Sequence, residues 1–126
     1  MCVVGSRPVA VSRYESLLAH ALSLPQATKD EPWEGDTVAK VAGKKIFVFF
    51  GSPATRKISV KLPESGVAAL GLDGAVPTSY GLGRHGWVTV PITGAGAPSV
   101  GVLRDWIDES YRAVAPKKLA ALLEAP

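Results

Sequence analysis

Apolar residues recur at helical spacing near both ends of the chain. At the N-terminal end, Ser12-Arg13-Tyr14-Glu15 has the form of a capping box, in which two side chains satisfy free N–H groups of a helix start. We predict a helix over 12–23 that stops before Pro25, because proline cannot donate to the helical hydrogen-bond ladder.

The longest helical pattern covers 100–114, with Ser99 as its expected N-cap. Its apolar stripe contains Leu103, Trp106, Ile107, Ser110, Tyr111 and Val114. The charged residues are expected on the opposite, solvated side: Arg104, Asp105, Asp108, Glu109 and Arg112. Pro116 is tolerated in a first helical turn, so a further helical segment is predicted from there to Leu123.

Strand-like patterns fill the middle of the chain. The segments 38–42, 45–50 and 57–62 predict a three-stranded meander with tight turns between the strands. Residues 46–50 are apolar at every position, which indicates a central strand covered on both faces or one that passes from core to interface. In 57–62 apolar and polar residues alternate, so one face of the sheet is expected to be core and the other to carry positive charge.

The remaining segments complete the predicted fold. A short helix over 63–70, capped by Gly71, precedes a loop over 72–79 and a fourth strand over 85–92. The segment 25–35 is predicted to be a polar connection. We therefore expect the α+β class: a single compact domain in which an antiparallel sheet is packed by N- and C-terminal helices.

Length and composition agree with this picture. The 126 residues suit one domain over 1–126, in which 1–11 is expected to be a loosely ordered lead. The lone cysteine, Cys2, permits no intramolecular disulfide, which favours a cytoplasmic protein. No membrane span is expected, because the longest apolar run, 46–50, is far shorter than the ~20 residues that a spanning helix needs.

The sequence contains no recognisable catalytic constellation. Neither a nucleophile elbow, a P-loop nor an H-E-x-x-H string is present, and His20 has no second metal ligand at helical spacing. Neither catalytic nor metal-binding residues are therefore assigned. The sequence predicts a protein that is not an enzyme.

Gly81, Gly83 and Gly86 spell G-x-G-x-x-G, the string of dinucleotide-binding loops. Such a loop requires a strand before it and a helix after it, because the helix N-terminus binds the pyrophosphate. A strand pattern follows here instead, so we expect no nucleotide cofactor. We interpret the glycines as positions with positive φ or as places where the backbone passes close to a neighbour.

Charge is distributed unevenly along the chain, whose net charge is +3. The meander between Thr37 and Lys61 contains no acid but six of the fourteen Lys and Arg residues: Lys40, Lys44, Lys45, Arg56, Lys57 and Lys61. Together with Arg84 and His85, these residues are candidates for contacts with phosphate groups. The alternative is that exposed lysines serve solubility and edge protection. Convergence of Lys44, Lys45, Arg56, Lys57 and Arg84 on one face would favour DNA binding, and scattering would favour the alternative.

Short motifs in a fixed order resemble the MmcQ/YjbR family over most of the chain. They include Glu31-Pro32-Trp33, Ala42-Gly43-Lys44-Lys45, Gly83-Arg84-His85-Gly86-Trp87, Asp108-Glu109-Ser110-Tyr111 and Ala115-Pro116-Lys117-Lys118. The resemblance implies a fold described as CyaY-like or double-wing, and a DNA-binding role. The motif positions that it singles out are Trp33, Lys40, Lys44, Lys61, Arg84, Trp87 and Tyr111. The segment 63–72 departs from the family, since it is short and poor in charge where relatives often have a longer charged helix.

Residue chemistry and resemblance together lead to one function hypothesis and one alternative. The hypothesis is weak, sequence-independent binding of the DNA backbone through the basic hairpins and the 81–86 loop. The alternative is a binding module for a small anionic ligand or a partner protein, with a candidate pocket that includes Trp33 and Trp87. Trp33 is otherwise expected to cover one end of the core, and Trp87 to belong to the core.

Overall fold

The structure, a computed structural model, describes residues 13–33, 35–43, 45–51, 55–78, 82–94 and 96–124. Its helices are α1 (Arg13–Leu22), α2 (Gly66–Leu70), α3 (Val100–Val114) and α4 (Lys117–Glu124), and Leu82–His85 forms a turn of 3₁₀ helix. Its strands are β1 (Ala27–Trp33), β2 (Asp36–Val41), β3 (Lys45–Gly51), β4 (Lys57–Lys61), β5 (Val76–Pro77) and β6 (Trp87–Pro91). The predicted capping residue Ser12 and the 1–11 lead lie outside the described residues.

All six strands of the described chain join in one antiparallel sheet, in the order β1-β2-β3-β4-β6-β5. The first four strands form a meander, and β6 then pairs with β4. The predicted α+β fold, an antiparallel sheet packed by helices, is confirmed. The helix over 100–114 is also confirmed, and Ser99 caps it by accepting a hydrogen bond from the N–H of Val102 at 3.2 Å.

Two segments that we predicted to be loops contain strands. The segment 25–35 holds β1, which pairs with β2 from Ala27↔Val41 to Asp30↔Val38. Its pattern lacks an apolar face because β1 is an edge strand, where charged side chains such as Lys29 and Glu31 protect the open edge. The second is β5, whose two residues lie at the opposite edge of the sheet.

The uninterrupted apolar run of β3 results from two bulges. Ala39 pairs with Val48 and Lys40 with Ile46, so Phe47 is an extra residue on β3; Phe50 is extra in the same way. Both phenylalanines therefore point toward the helices, where Phe47 packs edge-on against Tyr111 and Phe50 against Tyr14. Phe49, between them, points to the other side of the sheet.

The core lies between one face of the sheet and the helices α1 and α3. The helices contribute fully buried residues to it: Leu17, Ala21, Leu103, Ile107 and Tyr111. Burial of each large apolar side chain contributes roughly 1.5–3 kcal/mol to stability. The core residues of β4 and β6 are Ile58, Val60, Val88 and Val90, which fixes the register of both strands.

Glu109 was expected to face solvent, and this prediction is wrong. Its side chain is buried, and Oε2 accepts hydrogen bonds from the N–H groups of Glu64 and Ser65 at 2.9 Å each. Oε1 accepts from the Ser65 hydroxyl at 2.7 Å. Three hydrogen bonds compensate the carboxylate for the loss of water, so Glu109 fastens the chain before α2 to α3.

The residues that flank Glu109 also tie α3 to the rest of the fold. Asp108 is not simply solvated, because its Oδ1 lies 2.7 Å from Nε2 of His20 on α1. The Ser110 hydroxyl donates to the Phe47 carbonyl at 2.5 Å and accepts from the Lys61 N–H at 2.8 Å. The Tyr111 hydroxyl donates to the carbonyl of Pro25 at 2.6 Å.

Candidate nucleic-acid interface

The sheet has a second face, opposite the helices, which we call the open face. Its members alternate along the strands with residues of the helix-packed core. On this basis the open face contains Val38, Lys40, Ile46, Phe49, Lys57, Ser59, Lys61, Trp87 and Thr89. Most of these side chains are neither fully buried nor fully exposed, with Trp87 buried and Lys57 exposed. Val38 is fully buried but does not belong to the helix-packed core.

Three of the predicted phosphate-contacting lysines lie on the open face. Lys57 and Lys61 stand at the two ends of β4, four residues and therefore about 13 Å apart. Lys40 lies two strands away on β2 and forms an ion pair with Asp30. The hydrogen bond from the Lys40 side chain, followed by that from the Glu31 N–H, holds the pKa of Asp30 below its usual value. Lys40 is thus already partly neutralised, whereas Lys57 and Lys61 have no ion-pair partner among the described residues.

Arg84 and His85 lie at the same end of the sheet as Lys61. Both are exposed residues of the 3₁₀ turn that leads into β6. The Leu62 N–H donates to the Gly86 carbonyl at 2.8 Å, and Lys61 pairs with Trp87, so the turn is held against the end of β4. Lys45 starts the neighbouring strand β3 at the same end of the sheet. We call this end, with Lys45, Lys61, Arg84 and His85, the Lys45 end.

The predicted phosphate-contacting residue Arg56 does not lie at the Lys45 end. Arg56 precedes β4 and, with Lys57, lies at the end of the sheet opposite the Lys45 end. Lys44 lies outside the described residues. The residues whose convergence would favour DNA binding are therefore divided, with Lys45 and Arg84 at one end of the sheet and Arg56 and Lys57 at the other. Lys45 pairs with the core residue Val41 and so points to the helix side, whereas Lys40, Lys57 and Lys61 share the open face.

The glycine-rich loop serves backbone geometry. Gly86 has φ of +88°, and a side chain at Gly83 would contact Cβ of Pro77 at 2.8 Å. The predicted positive-φ role is confirmed for Gly86 and the close-approach role for Gly83, whereas Gly81 lies outside the described residues. The loop leads into β6, an antiparallel strand, and so lacks the helix N-terminus of a dinucleotide site.

Two features of the open face were not predicted from the sequence. The rings of Phe49 and Trp87 meet across β4, with centroids 5.3 Å apart and planes at 66°. Next to them, the hydroxyls of Ser59 and Thr89 lie 2.7 Å apart, and those of Thr89 and Thr78 lie 3.1 Å apart. The alternation of Lys57, Ser59 and Lys61 indicated the face, but the partners on β3 and β6 depend on the register.

The structure does not bring Trp33 and Trp87 together. Trp33 belongs to β1 and Trp87 to β6, and three strands lie between them in the sheet. Trp87 is only 8% exposed, but it packs on Phe49 rather than in the cluster between sheet and helices. Its predicted burial is confirmed, although it lies on the other side of the sheet from the main core.

A groove of about 250 Å³ lies where α2 faces β5 and β6. Its described walls are mostly aliphatic and include Leu62, Val67, Leu70 and Val88. Glu64 is the one ionisable residue among those walls, which does not suit an anionic ligand. Within the described residues, no group of three or more His, Cys, Asp or Glu side chains is placed to hold a metal ion.

We compared the chain with models of known protein families. The family model described as YjbR matches residues 22–113, which is most of the chain. The chain belongs to the YjbR family. The match extends from the end of α1 to near the end of α3, and so includes the whole sheet and the Lys45 end. A search of curated proteins found no match. None of the helices in the described part of this YjbR-family chain is long and apolar enough to cross a membrane.

Proposed function

We propose that this YjbR-family protein binds DNA weakly and without sequence preference, by contacting phosphate groups from the open face and the Lys45 end. The observation that carries the proposal is the strand register, which directs Lys57 and Lys61 to one face and puts Arg84 at the same end of the sheet as Lys61. Lysine and arginine release condensed counterions when they neutralise phosphates, so such a surface favours a polyanion. No helix among the described residues lies on the open face, so base-specific readout is not part of the proposal.

The proposal predicts a defined salt dependence. If Lys57, Lys61 and Arg84 each engage one phosphate, log K should fall with log salt with a slope of about −3. Fluorescence anisotropy of a labelled duplex, titrated with the protein over a salt series, measures this slope. Absence of binding at low salt, or a flat salt response, would contradict the proposal.

Charge-removing variants locate the contact. Arg84→Gln and Lys61→Gln are each expected to weaken binding several-fold and to reduce the salt slope by about 1. Lys29→Gln is the matched control, because Lys29 is an exposed cation on β1 whose partner Ala39 belongs to the core, so it points away from the open face. Equal losses for Lys29→Gln and Lys61→Gln would indicate a simple effect of net charge and would refute the assigned surface.

The alternative, a small anionic ligand, is tested in parallel by thermal shift. Inorganic phosphate or a simple carboxylate should leave the melting temperature unchanged if the cations act on a polyanion. Stabilisation by those small anions without stabilisation by DNA would support the alternative, because binding to the folded state alone raises apparent stability.

A further inference from the structure

The centre of the open face is aromatic, and its cations lie around that centre. Phe49 pairs with Ser59, the residue midway between Lys57 and Lys61 on β4. The Phe49 ring is partly exposed and is braced from the side by the buried ring of Trp87. An aromatic ring fixed in this way loses little conformational freedom when a second flat group packs on it.

The hydroxyl row beside Phe49 has hydrogen-bonding capacity left over. Ser59, Thr89 and Thr78 supply three O–H donors, and the two contacts among them use two of the three hydrogens. One donor and several lone pairs therefore remain for a ligand. A polar group placed beside this row, next to the stacked ring, would find both a donor and acceptors.

These features fit an unpaired nucleotide better than a duplex. Duplex DNA presents phosphates and sugars to a sheet face and keeps its base faces stacked inside, so the aromatic centre would gain nothing from it. A single strand presents phosphates and base faces together, and bases stack on aromatic side chains with little dependence on sequence.

We propose that the open face prefers single-stranded DNA, with one base stacked on Phe49 and neighbouring phosphates on Lys57 and Lys61. The inference rests on the proposed function, in which these lysines contact phosphate, and it adds the class of DNA. Phe49 supplies the preference, and the lysines supply most of the affinity and its salt dependence.

The decisive measurement is the ratio of two affinities at one salt concentration. The probes are a fluorescein-labelled oligothymidylate and the duplex that it forms with oligodeoxyadenylate, titrated by anisotropy. We expect the single strand to bind at least about fivefold more tightly, which corresponds to the low end for one base-aromatic stack. Equal affinities, or tighter binding of the duplex, would overturn the inference while leaving the proposed function intact. If neither probe binds, both the inference and the proposed function are refuted.

Variants of Phe49 assign the preference to its ring. Phe49→Leu keeps an apolar side chain but removes the ring, and should lower single-strand affinity to the duplex value without changing duplex affinity. Phe49→Tyr keeps the ring and should retain the preference. A uniform loss for both probes in Phe49→Leu would contradict the stacking role. Because the ratio is also measured on the unaltered chain, the inference can be refuted even if Phe49→Leu does not fold.

Discussion

Replacing Ser110 with alanine tests whether α3 closes a gap in the sheet. The register between β3 and β4 ends at Val48↔Val60, and the bulge at Phe47 lies next to that end. The fully buried Ser110 hydroxyl connects the next pair of backbone groups, donating to the Phe47 carbonyl and accepting from the Lys61 N–H. Ser110→Ala removes both hydrogen bonds and leaves the two backbone groups without those partners.

The expected cost follows from the hydrogen-bond count. An unsatisfied buried donor or acceptor costs about 1–3 kcal/mol, so the loss of two partners should lower the free energy of unfolding by about 2–6 kcal/mol. Equilibrium urea unfolding, followed by circular dichroism, measures the change, with the denaturant slope expected to stay constant. Faster hydrogen exchange of the Lys61 amide should accompany it.

Ser99→Ala is the matched control for Ser110→Ala. It removes one serine hydroxyl from the same helix, but at the exposed N-cap, where the usual cost is about 1 kcal/mol. If Ser110→Ala costs no more than Ser99→Ala, or leaves exchange at Lys61 unchanged, the hydroxyl does not hold the two strands together. The assigned role of Ser110 would then be wrong.

Three further predictions concern ionisable groups. The pKa of Asp30, measured by NMR, should lie below its usual 3.8, and Lys40→Gln should raise it, because the Lys40 hydrogen bond is the largest cause of the lowered pKa. The contribution of ionised Asp30 to folding stability is present at neutral pH and is lost as pH falls through the lowered pKa. Burial raises the pKa of Tyr111 above 10.0, so its contribution is present below pH 10 and is lost at higher pH; Tyr111→Phe should flatten the alkaline fall in stability measured by urea unfolding. Glu109→Gln leaves fewer acceptors for the Ser65 donors and should cost about 1–3 kcal/mol in the same assay; an unchanged midpoint would contradict the buried role of Glu109.

The elements with strong periodicity were predictable from the sequence, and the weakly patterned ones were not. The apolar stripe of α3 and the alternation in β4 each specify a buried face, so both were predicted at nearly their observed positions. The strand β1 has no such face, since its place at the sheet edge is determined by pairing with β2. The burial of Glu109 depends on N–H groups 44 and 45 residues away, which no local pattern reveals.

The candidate site was only partly predictable, for the same physical reason. The alternation of Lys57, Ser59 and Lys61 is enough by itself to place these side chains on one face of a strand. The position of Phe49 beside them depends on the bulges in β3, and the position of Arg84 depends on the hydrogen bond between Leu62 and Gly86. A local pattern predicts the face of the strand on which a side chain lies, whereas its neighbours on adjacent strands depend on how the strands pair.

One family motif contacts the proposed interface at Lys61, whose backbone N–H donates to the Ser110 hydroxyl. In the motif that ends at Tyr111, the described contacts of Asp108, Glu109, Ser110 and Tyr111 are all with other parts of the fold. Ser110 also holds the backbone of Lys61, whose side chain belongs to the open face. A variant of this motif that loosens β4 is therefore expected to weaken the proposed DNA binding without any contact to DNA. Loss of binding assigns the interface only when unfolding stability is unchanged, which is why exposed Arg84 is the more informative first substitution.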